Sequence, residues 1–298
     1  MSETTFTAGG RVLVALDGSP ASATALPIAL TLADQLAARL EILHVVSERP
    51  SANDIRRRLR LDADPWLDIE LRIAIGKPVD TILQASAEPD MILLVMTTHG
   101  RIVEPGRAFG RVAQAVAAEA TRPIVMVRPE VATDFMEHGG SVRHVLLPLD
   151  GTPTTAALLR PATALASRLA ASIDLLYVVA AQPAVVSEPG SMGVPRYLDQ
   201  PQHEWPEWSD EMIDRFARGC AGCPSDVPIR MFLARGDIGQ EIVRFASEHH
   251  VDVVVVARRS HLEPGRARVL RAVLRHTPCP LLLVGAPDGD GCGALPVA

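Results

Sequence analysis

Residues 11–46 read RVLVALDGSPASATALPIALTLADQLAARLEILHVV, and residues 144–179 read HVLLPLDGTPTTAALLRPATALASRLAASIDLLYVV. The two stretches align from end to end without a gap, so that Asp17 matches Asp150. Each stretch opens and closes on a short aliphatic run and carries a longer helical pattern between them. This arrangement is typical of a strand–helix–strand unit. The sequence therefore contains one such unit twice.

The helix inside each unit has a clear start. Ser19 precedes Pro20 in the first copy, and Thr152 precedes Pro153 in the second. The hydroxyl residue is a good N-cap, and proline suits the first helical position because no amide hydrogen needs a partner there. We predict amphipathic helices over residues 20–38 and 153–170.

The duplication continues to the end of each half. The pentapeptide Glu-Pro-Gly-Arg-Ala occurs at 104–108 and again at 263–267, and residues 122–127 match residues 279–284. Short β-branched runs alternate with longer helical patterns, which indicates βαβ units and a parallel sheet. We predict strands at 11–16, 40–46, 71–75, 91–96 and 124–127, and again at 144–149, 172–179, 229–234, 253–257 and 281–284.

The fold class that follows is α/β, with two tandem doubly wound parallel-sheet sandwiches of the Rossmann-like kind, because crossover connections are right-handed. The length of 298 residues also predicts two domains. We expect the first domain at 8–130, a linker at 131–141 and the second domain at 142–286. Residues 182–226 have no counterpart in the first half and are predicted to be an insertion, and residues 287–298 a flexible tail.

The composition restricts the classes of function. Hydrophobic residues make up 48% and charged residues 21%, which indicates a globular chain, and aromatic residues make up only 4%, so the core is aliphatic. No apolar run reaches the roughly 18 residues of a membrane span, and the polar start lacks the apolar segment of a signal peptide. We therefore expect no membrane association and a cytoplasmic location. The net charge of −6 argues against non-specific nucleic-acid binding.

The cysteines do not indicate a disulfide framework, because a chain of this length has only four. Cys220 and Cys223 are spaced like half of a zinc site or a redox pair. No second paired ligand motif accompanies them, so two incidental loop thiols are the competing interpretation. We predict no metal site from the protein ligands.

Several short motifs recur in the same order in both halves. In the first half they are VALDGS at 14–19, LHV at 43–45, Gly76 before a helix, VMTTHGR at 95–101 and RPIVMV at 122–127. This order resembles the universal stress protein family in tandem form, as a chain of two UspA-like domains. The resemblance covers both halves nearly end to end. It implies the adenine nucleotide alpha hydrolase-like variant of the fold.

Many members of this family bind ATP through a loop of pattern Gly-x2-Gly-x9-Gly-(Ser/Thr) between the fourth strand and the last helix. Glycines allow backbone amides to approach phosphates, and the helix N-terminus supplies free amides. The first half reads Thr97-x2-Gly100-x9-Gly110-Arg111, so it keeps two glycines and the full loop length. A β-branched Thr97 would distort the loop if that position needed a positive φ.

The second half departs further from the pattern. It reads Ala257-x2-Ser260-x6-Ala267-Arg268, which has none of the glycines and a shorter loop. The resemblance therefore implies a partly degenerate nucleotide site in the first half and a lost site in the second. The ligand would be ATP or another adenine nucleotide.

Carried onto this sequence residue by residue, the resemblance implies a defined set of binding positions. In the first half they are Ala15, Asp17, Val45, Met96, Gly100, Gly110, Arg111 and Val112, and the degenerate counterparts in the second half are Asp150, Val178 and Arg268. No catalytic residue is predicted, because no nucleophile, base and orienting group share a recognisable pattern.

Three of these side chains have two interpretations each. Arg111 and Arg268 replace the hydroxyl residue in both loops, and their guanidinium groups could hold a phosphate or another anion. Shared ancestry and pairing with nearby carboxylates explain the same arginines without a ligand. Asp17 lies at the carboxyl edge of the sheet, where ligands bind, but it could equally cap the following turn. We interpret His44 as a core histidine.

Two functions from different classes follow. One is a stress-response regulator that senses a nucleotide or anion through its first half, and the alternative is a ligand-free adaptor whose partner surface is the insertion at 182–226. Weak ATP hydrolysis is a third reading, and we do not expect an enzyme. The resemblance also implies dimerisation through the last strand of each domain. Here residues 124–127 and 281–284 would pair within one chain as an intramolecular pseudo-dimer, and two chains could form a homodimer.

Overall fold

The computed structural model describes residues 6, 9–48, 51–61, 65–66, 68–100, 108–150, 152–180, 226–258 and 268–285. Almost all of the predicted insertion, Cys220, Cys223 and the predicted tail lie outside the described residues. Two compact units can be distinguished. Unit 1 holds the chain up to Ser141 together with Arg258 and Cys279–Gly285, and unit 2 holds the described parts of Val142–Ala257 and Arg268–Pro278. The domain boundaries given above stay a prediction.

Unit 1 alternates strands and helices as the sequence pattern indicates. Its elements are β1 (Arg11–Leu16), α1 (Pro20–Ala23), α2 (Ala25–Gln35), β2 (Arg39–Val46), α3 (Ala52–Arg58), β3 (Glu70–Ile75), α4 (Pro78–Ser86), β4 (Met91–Thr97), α5 (Arg111–Glu119), β5 (Ile124–Val127), α6 (Pro129–Glu137) and the late strand β10 (Leu281–Gly285).

The strands of unit 1 lie in the order β3-β2-β1-β4-β5-β10. The first five are parallel to their neighbours. The last strand, β10, runs antiparallel to β5, with Leu281 opposite Met126 and Leu283 opposite Ile124. The predicted pairing of the two closing strands is therefore confirmed. Every residue of β4 and β5 is buried, which explains why these strands are continuous aliphatic runs rather than alternating ones.

Unit 2 repeats the arrangement with four parallel strands in the order β9-β6-β7-β8. Its elements are β6 (His144–Leu149), α7 (Pro153–Ala156), α8 (Leu159–Leu169), β7 (Ser172–Ala180), β8 (Ile229–Gly236), α9 (Ile238–Glu248), β9 (Val253–Arg258) and α10 (Arg268–His276). All of the predicted strands in both halves are present, with ends that differ by two residues at most. Within the described parts of the chain, none of the helices is long and apolar enough to cross a membrane.

The long helix predicted after the first strand of each half is wrong in one respect, because each is divided in two. In unit 1 the division falls at Thr24, whose amide donates to the carbonyl of Ala21 and whose Oγ1 donates to the same carbonyl at 2.7 Å. In unit 2 the amide of Leu158 donates to Thr155. These bonds span three residues instead of four, so each forms a tight turn that interrupts the α-helix.

The second helix of each pair ends in the same way. Ala37 and Ala170 occupy matching positions and both adopt the left-handed conformation, with φ of 49° and 52°. The amide of Ala38 donates to Ala33 and that of Ala171 to Ala166, both at 2.8 Å, which is the hydrogen bonding of a Schellman motif. Glycine is the usual residue at this position because it has no Cβ to clash in the left-handed region.

We therefore expect Ala37→Gly and Ala170→Gly each to stabilise the protein by about 0.5–1 kcal/mol, since relief of the left-handed strain outweighs the entropy gained by the unfolded chain. Urea unfolding followed by circular dichroism measures the change. Ala33→Gly, inside α2, is the matched control and should destabilise by about 1 kcal/mol. Equal destabilisation by all three changes would contradict the strain argument.

Candidate functional site

The carboxyl ends of β1 and β4 mark the place where the strand order of unit 1 reverses. From β1 the chain moves through β2 to β3, and then β4 returns to the other side of β1. The connections that leave two such strands turn in opposite directions and open a crevice between them. Ligands of doubly wound α/β folds bind at this switch point. The topology alone therefore locates the candidate site.

The binding positions predicted for the first half are distributed around this edge of the sheet. Ala15 is near the end of β1 and Asp17 follows it, Val45 is near the end of β2, Met96 is near the end of β4 and Gly100 follows it, Gly110 is the N-cap of α5, and Arg111 and Val112 open that helix. Because β2, β1 and β4 are neighbours, the fold brings these positions to three adjacent strand ends and one helix N-terminus.

Asp17 connects the two loops of the crevice. Its Oδ1 accepts a hydrogen bond from the amide of Ser19 at 2.8 Å, so the carboxylate caps the turn after β1 as one of its two interpretations predicts. Gly18 in that turn has a φ of 80°, which favours glycine. The other oxygen, Oδ2, faces Gly100: a methyl group on Gly100 would lie 2.1 Å from it. A side chain at position 100 would therefore force the Asp17 carboxylate to move.

Both ends of the loop after β4 are held by hydrogen bonds. Thr97 closes β4 and is not among the described residues with positive φ, so the distortion considered for this position does not arise. Its Oγ1 donates to the carbonyl of His99 at 2.8 Å. At the other end the amide of Gly110 donates to the carbonyl of Thr98 at 2.8 Å. The loop therefore leaves and returns to the sheet at one place.

His44 is a core residue, as the sequence predicts. Its side chain is buried in β2, and Nδ1 lies 2.7 Å from the carbonyl oxygen of Leu16, to which it donates. Tyr177 occupies the matching position in β7 and is also buried. Burial, together with the nearby carboxylate of Asp150, raises the pKa of the Tyr177 hydroxyl.

The counterparts in unit 2 are engaged with their own neighbours. Oδ1 of Asp150 accepts hydrogen bonds from the amide and Oγ1 of Thr152, at 3.0 and 2.6 Å, and from Oγ1 of Thr155 at 2.7 Å. Arg268 opens α10 and forms an exposed ion pair with Asp237 at 3.2 Å. Val178 lies in β7, opposite Ala234 of β8.

Both connections that lead from a strand to the last helix of each half are rich in arginine, and these arginines have different surroundings. Arg111 stands at the first position of α5, where a cation is unfavourable for the helix dipole and a bound anion would compensate. Arg258 closes β9 and is half-buried, and its guanidinium donates to the carbonyl of Ala117 at 3.2 Å. Burial lowers the pKa of Arg258. The remaining arginines of these loops, Arg101, Arg107, Arg259 and Arg266, lie outside the described residues.

The structure also shows a charged cluster that we did not predict, at the amino ends of the strands of unit 1. Glu41 of β2 is 1% exposed and accepts a hydrogen bond from Arg11 of β1, and Arg72 of β3 lies 3.7 Å from it. Arg11 also donates to Asp90 at 2.8 Å and to Glu88. Burial raises the pKa of Glu41, although both arginines oppose that shift.

Unit 2 has a corresponding cluster at the amino ends of its strands. Asp174 of β7 is fully buried and accepts hydrogen bonds from His144 of β6 at 2.6 Å and from Arg230 of β8 at 2.8 Å. The signal for both clusters was present in the alignment, since Glu41 and Asp174 are matching carboxylates inside aliphatic strands. A buried carboxylate needs a partner, so these positions predict a cation on a neighbouring strand.

Across the residues that the structure describes, no group of three or more His, Cys, Asp or Glu side chains could hold a metal ion. The described polar groups near the crevice include the Asp17 carboxylate and the side chains of Thr97 and His99.

Fold and crevice together define a tandem protein of doubly wound α/β units with a site at the carboxyl edge. The model of the universal stress protein family matches residues 10–59, 51–128 and 141–285. The chain belongs to the universal stress protein family, in agreement with the resemblance noted from its motifs.

Solved structures share the fold over most of the chain. A universal stress protein from Archaeoglobus fulgidus is 14% identical and covers 92% of this chain and 98% of its own, with a TM-score of 0.57. A functionally unknown protein from Pseudomonas aeruginosa PAO1 is 15% identical, covers 94% of both chains and has a TM-score of 0.55. A universal stress protein in complex with cAMP is 28% identical over 41% of this chain and 99% of its own, with a TM-score of 0.34. No curated protein matches the chain.

The approach of Asp17 to Gly100 predicts different effects for the two glycines of the loop. Gly100→Ala should destabilise the protein by about 1–3 kcal/mol, because the added methyl group displaces the carboxylate and breaks its bond to Ser19. Gly110→Ala should cost less than about 1 kcal/mol, because its methyl group would lie 3.5 Å from the carbonyl of Thr98, an ordinary contact. Thermal unfolding of the two variants compares them. A larger loss for Gly110→Ala would show that the carboxylate does not constrain Gly100.

Proposed function

We propose that this protein is a stress-response regulator whose first half binds ATP or another adenine nucleotide at the carboxyl ends of β1, β2 and β4. The observation that carries the proposal is the contact between Asp17 and Gly100. It joins a carboxylate after β1 to the loop after β4 across the switch-point crevice, where doubly wound folds bind their ligands. Membership of the universal stress protein family supports the nucleotide as the ligand class.

The proposed roles follow from the chemistry of each position. Ala15 and Met96 are buried apolar residues at strand ends and Val45 lies beside them, so they suit the faces of a purine. The Asp17 carboxylate, an acceptor, suits an exocyclic amine. At the other end of the ligand, the backbone amides at Gly100 and at the start of α5 suit phosphate oxygens. Gly110 and Val112 belong to this start of α5, as its N-cap and its second residue.

We propose that unit 2 has lost this function. Two threonine hydroxyls already donate to the carboxylate of Asp150, which leaves it less able to accept a bond from a purine amine. Arg268 is paired with Asp237. Its ion pair is exposed and therefore weak, so the stronger support is the hydrogen bonding of Asp150.

The role we propose is regulation rather than catalysis, at the expected cytoplasmic location. A nucleotide that binds one conformation more tightly than another shifts the population between them, which is sufficient for a sensor. Weak ATP hydrolysis is a third candidate function, and association of two chains into a homodimer is a further part of the hypothesis. The alternative, an adaptor without a ligand, is favoured by the bond between Thr97 and His99, because the chain's own groups fix the start of the loop.

Isothermal titration of the purified chain with ATP, ADP and AMP tests nucleotide binding. Asp17→Asn should weaken binding by about 10- to 100-fold, because one hydrogen bond to a charged group is lost while the amide oxygen still caps the turn. Asp150→Asn is the matched control in unit 2 and should leave the affinity within about twofold. The absence of heat with every nucleotide, and of nucleotide released from the denatured protein, would support the adaptor instead.

The role of Arg111 can be separated from that of the base-binding positions. We expect Arg111→Ala to weaken ATP binding by about tenfold and AMP binding much less, because the guanidinium would hold the outer phosphates. Arg111→Ser supplies the family's hydroxyl and should restore part of the ATP affinity, while Arg268→Ala should change nothing. Equal losses for ATP and AMP would place Arg111 away from the outer phosphates.

A further inference from the structure

The cluster of His144, Asp174 and Arg230 in unit 2 differs from its counterpart in one chemical respect. Arg11 occupies the position of His144 in unit 1, and a guanidinium stays charged at every pH that a protein experiences. An imidazole changes its charge near neutral pH. The same buried carboxylate position is therefore neutralised by a permanent cation in unit 1 and by a titratable one in unit 2.

Both ring nitrogens of His144 face hydrogen-bond acceptors. Nε2 lies 2.6 Å from Oδ2 of Asp174, and Nδ1 lies 3.1 Å from the carbonyl oxygen of His249. A carboxylate and a carbonyl can only accept, so both ring nitrogens must donate to satisfy the two contacts. Only the protonated imidazolium has two N–H groups. The neutral ring must give up one of the two bonds.

The groups around His144 favour its positive form on balance. Asp174 approaches from β7, and Asp252, before β9, accepts the backbone amides of Arg143 and His144 at 2.8 and 2.9 Å. The carbonyl of His249 belongs to the C-cap of α9, where the helix dipole is negative. Arg230 of β8 opposes the charge, with its guanidinium nitrogen 3.5 Å from Nε2, but it is largely exposed and bonded to Asp174.

The bond to Asp174 raises the pKa of His144, and this effect outweighs the opposing effect of burial. The pKa of Asp174 is lowered, because hydrogen bonds from His144 and Arg230 outweigh the burial that would raise it. The stability contributed by His144 is therefore complete below its ordinary pKa of 6.5 and is lost as pH rises through its raised value. That of Asp174 is present above 3.8 and is lost only on acidification.

We propose that His144 makes unit 2 a pH-responsive element, in which loss of the His144 proton releases the tie between the start of β6 and the end of α9. The aromatic contacts of α9 show what this tie holds in place. The ring of His249 stacks on Phe245 with centroids 3.9 Å apart, and Phe245 meets Phe232 of β8 edge to face at 4.9 Å. Release of His249 therefore loosens the packing of α9 on the edge strand of unit 2, while unit 1 keeps its permanent cation.

The test uses the full chain with His144→Arg, which installs the cation of unit 1, and His144→Gln, which installs a neutral side chain. Proton NMR of the histidine rings, with His144 assigned by its loss in His144→Gln, should give a titration midpoint above 6.5. The unfolding constant of the parent in urea should rise by up to about tenfold per pH unit between 6.5 and that midpoint. His144→Arg should show no such rise in the same interval.

Hydrogen exchange, corrected for the intrinsic pH dependence, locates the effect. Peptides from β6 and α9 should lose protection as the pH rises above 6.5 in the parent and keep it in His144→Arg. Peptides from β1 and β2 should respond alike in both proteins. A midpoint at or below 6.5, or equal pH dependence of the parent and His144→Arg, would overturn the proposal. If His144→Arg fails to fold, two measurements decide the question. They are the titration midpoint of His144 in the parent and the difference between the parent and His144→Gln in the pH dependence of the unfolding constant.

Discussion

Burial of the parallel strands on both faces is the constraint on which the rest of this structure depends. Strands such as β4 and β5 have no solvent-facing side, so their residues are apolar up to Thr97, which ends β4. Among the described residues, the candidate site and the charged clusters consequently lie towards the two ends of the strands. The carboxyl ends carry Asp17 and the loop that contains Gly100, and the amino ends carry the charged clusters around Glu41 and Asp174. The candidate ligand site and the pH-responsive cluster are thus products of one constraint.

The two edges diverge in different ways between the copies. At the carboxyl edge, Asp17 reaches across to the next loop, whereas Asp150 bonds to the two threonines of its own turn. At the amino ends of the strands, both copies keep a buried carboxylate, Glu41 or Asp174, while the cation on the neighbouring first strand changes from Arg11 to His144. A buried carboxylate without a partner is costly, so the amino edge tolerates an exchange of cation but not its removal. The loss of a ligand at the carboxyl ends of the strands leaves no buried charge without a partner, so it carries no such penalty.

Most of the fold could be predicted because it depends on patterns that are local in sequence. Aliphatic runs indicated the strands and the duplication indicated two units, whereas the pairing of β5 with β10 was expected only from the resemblance to the universal stress protein family. The interruption at Thr24 was missed because the helical pattern of apolar residues continues through it, while the tight turn depends on one hydrogen bond. Periodicity reports which face is buried and does not report whether the helix is continuous.

The candidate site could be predicted only as far as the strand ends. Topology brings Ala15, Val45 and Met96 to one edge because parallel neighbours end together, and this follows from the order of the strands. The contact of Asp17 with Gly100 does not follow from order, because it depends on the path of two loops in space. The charged clusters are an intermediate case. Aligned carboxylates in aliphatic strands predict that a cation must be near, and the register then decides that it comes from the neighbouring strands.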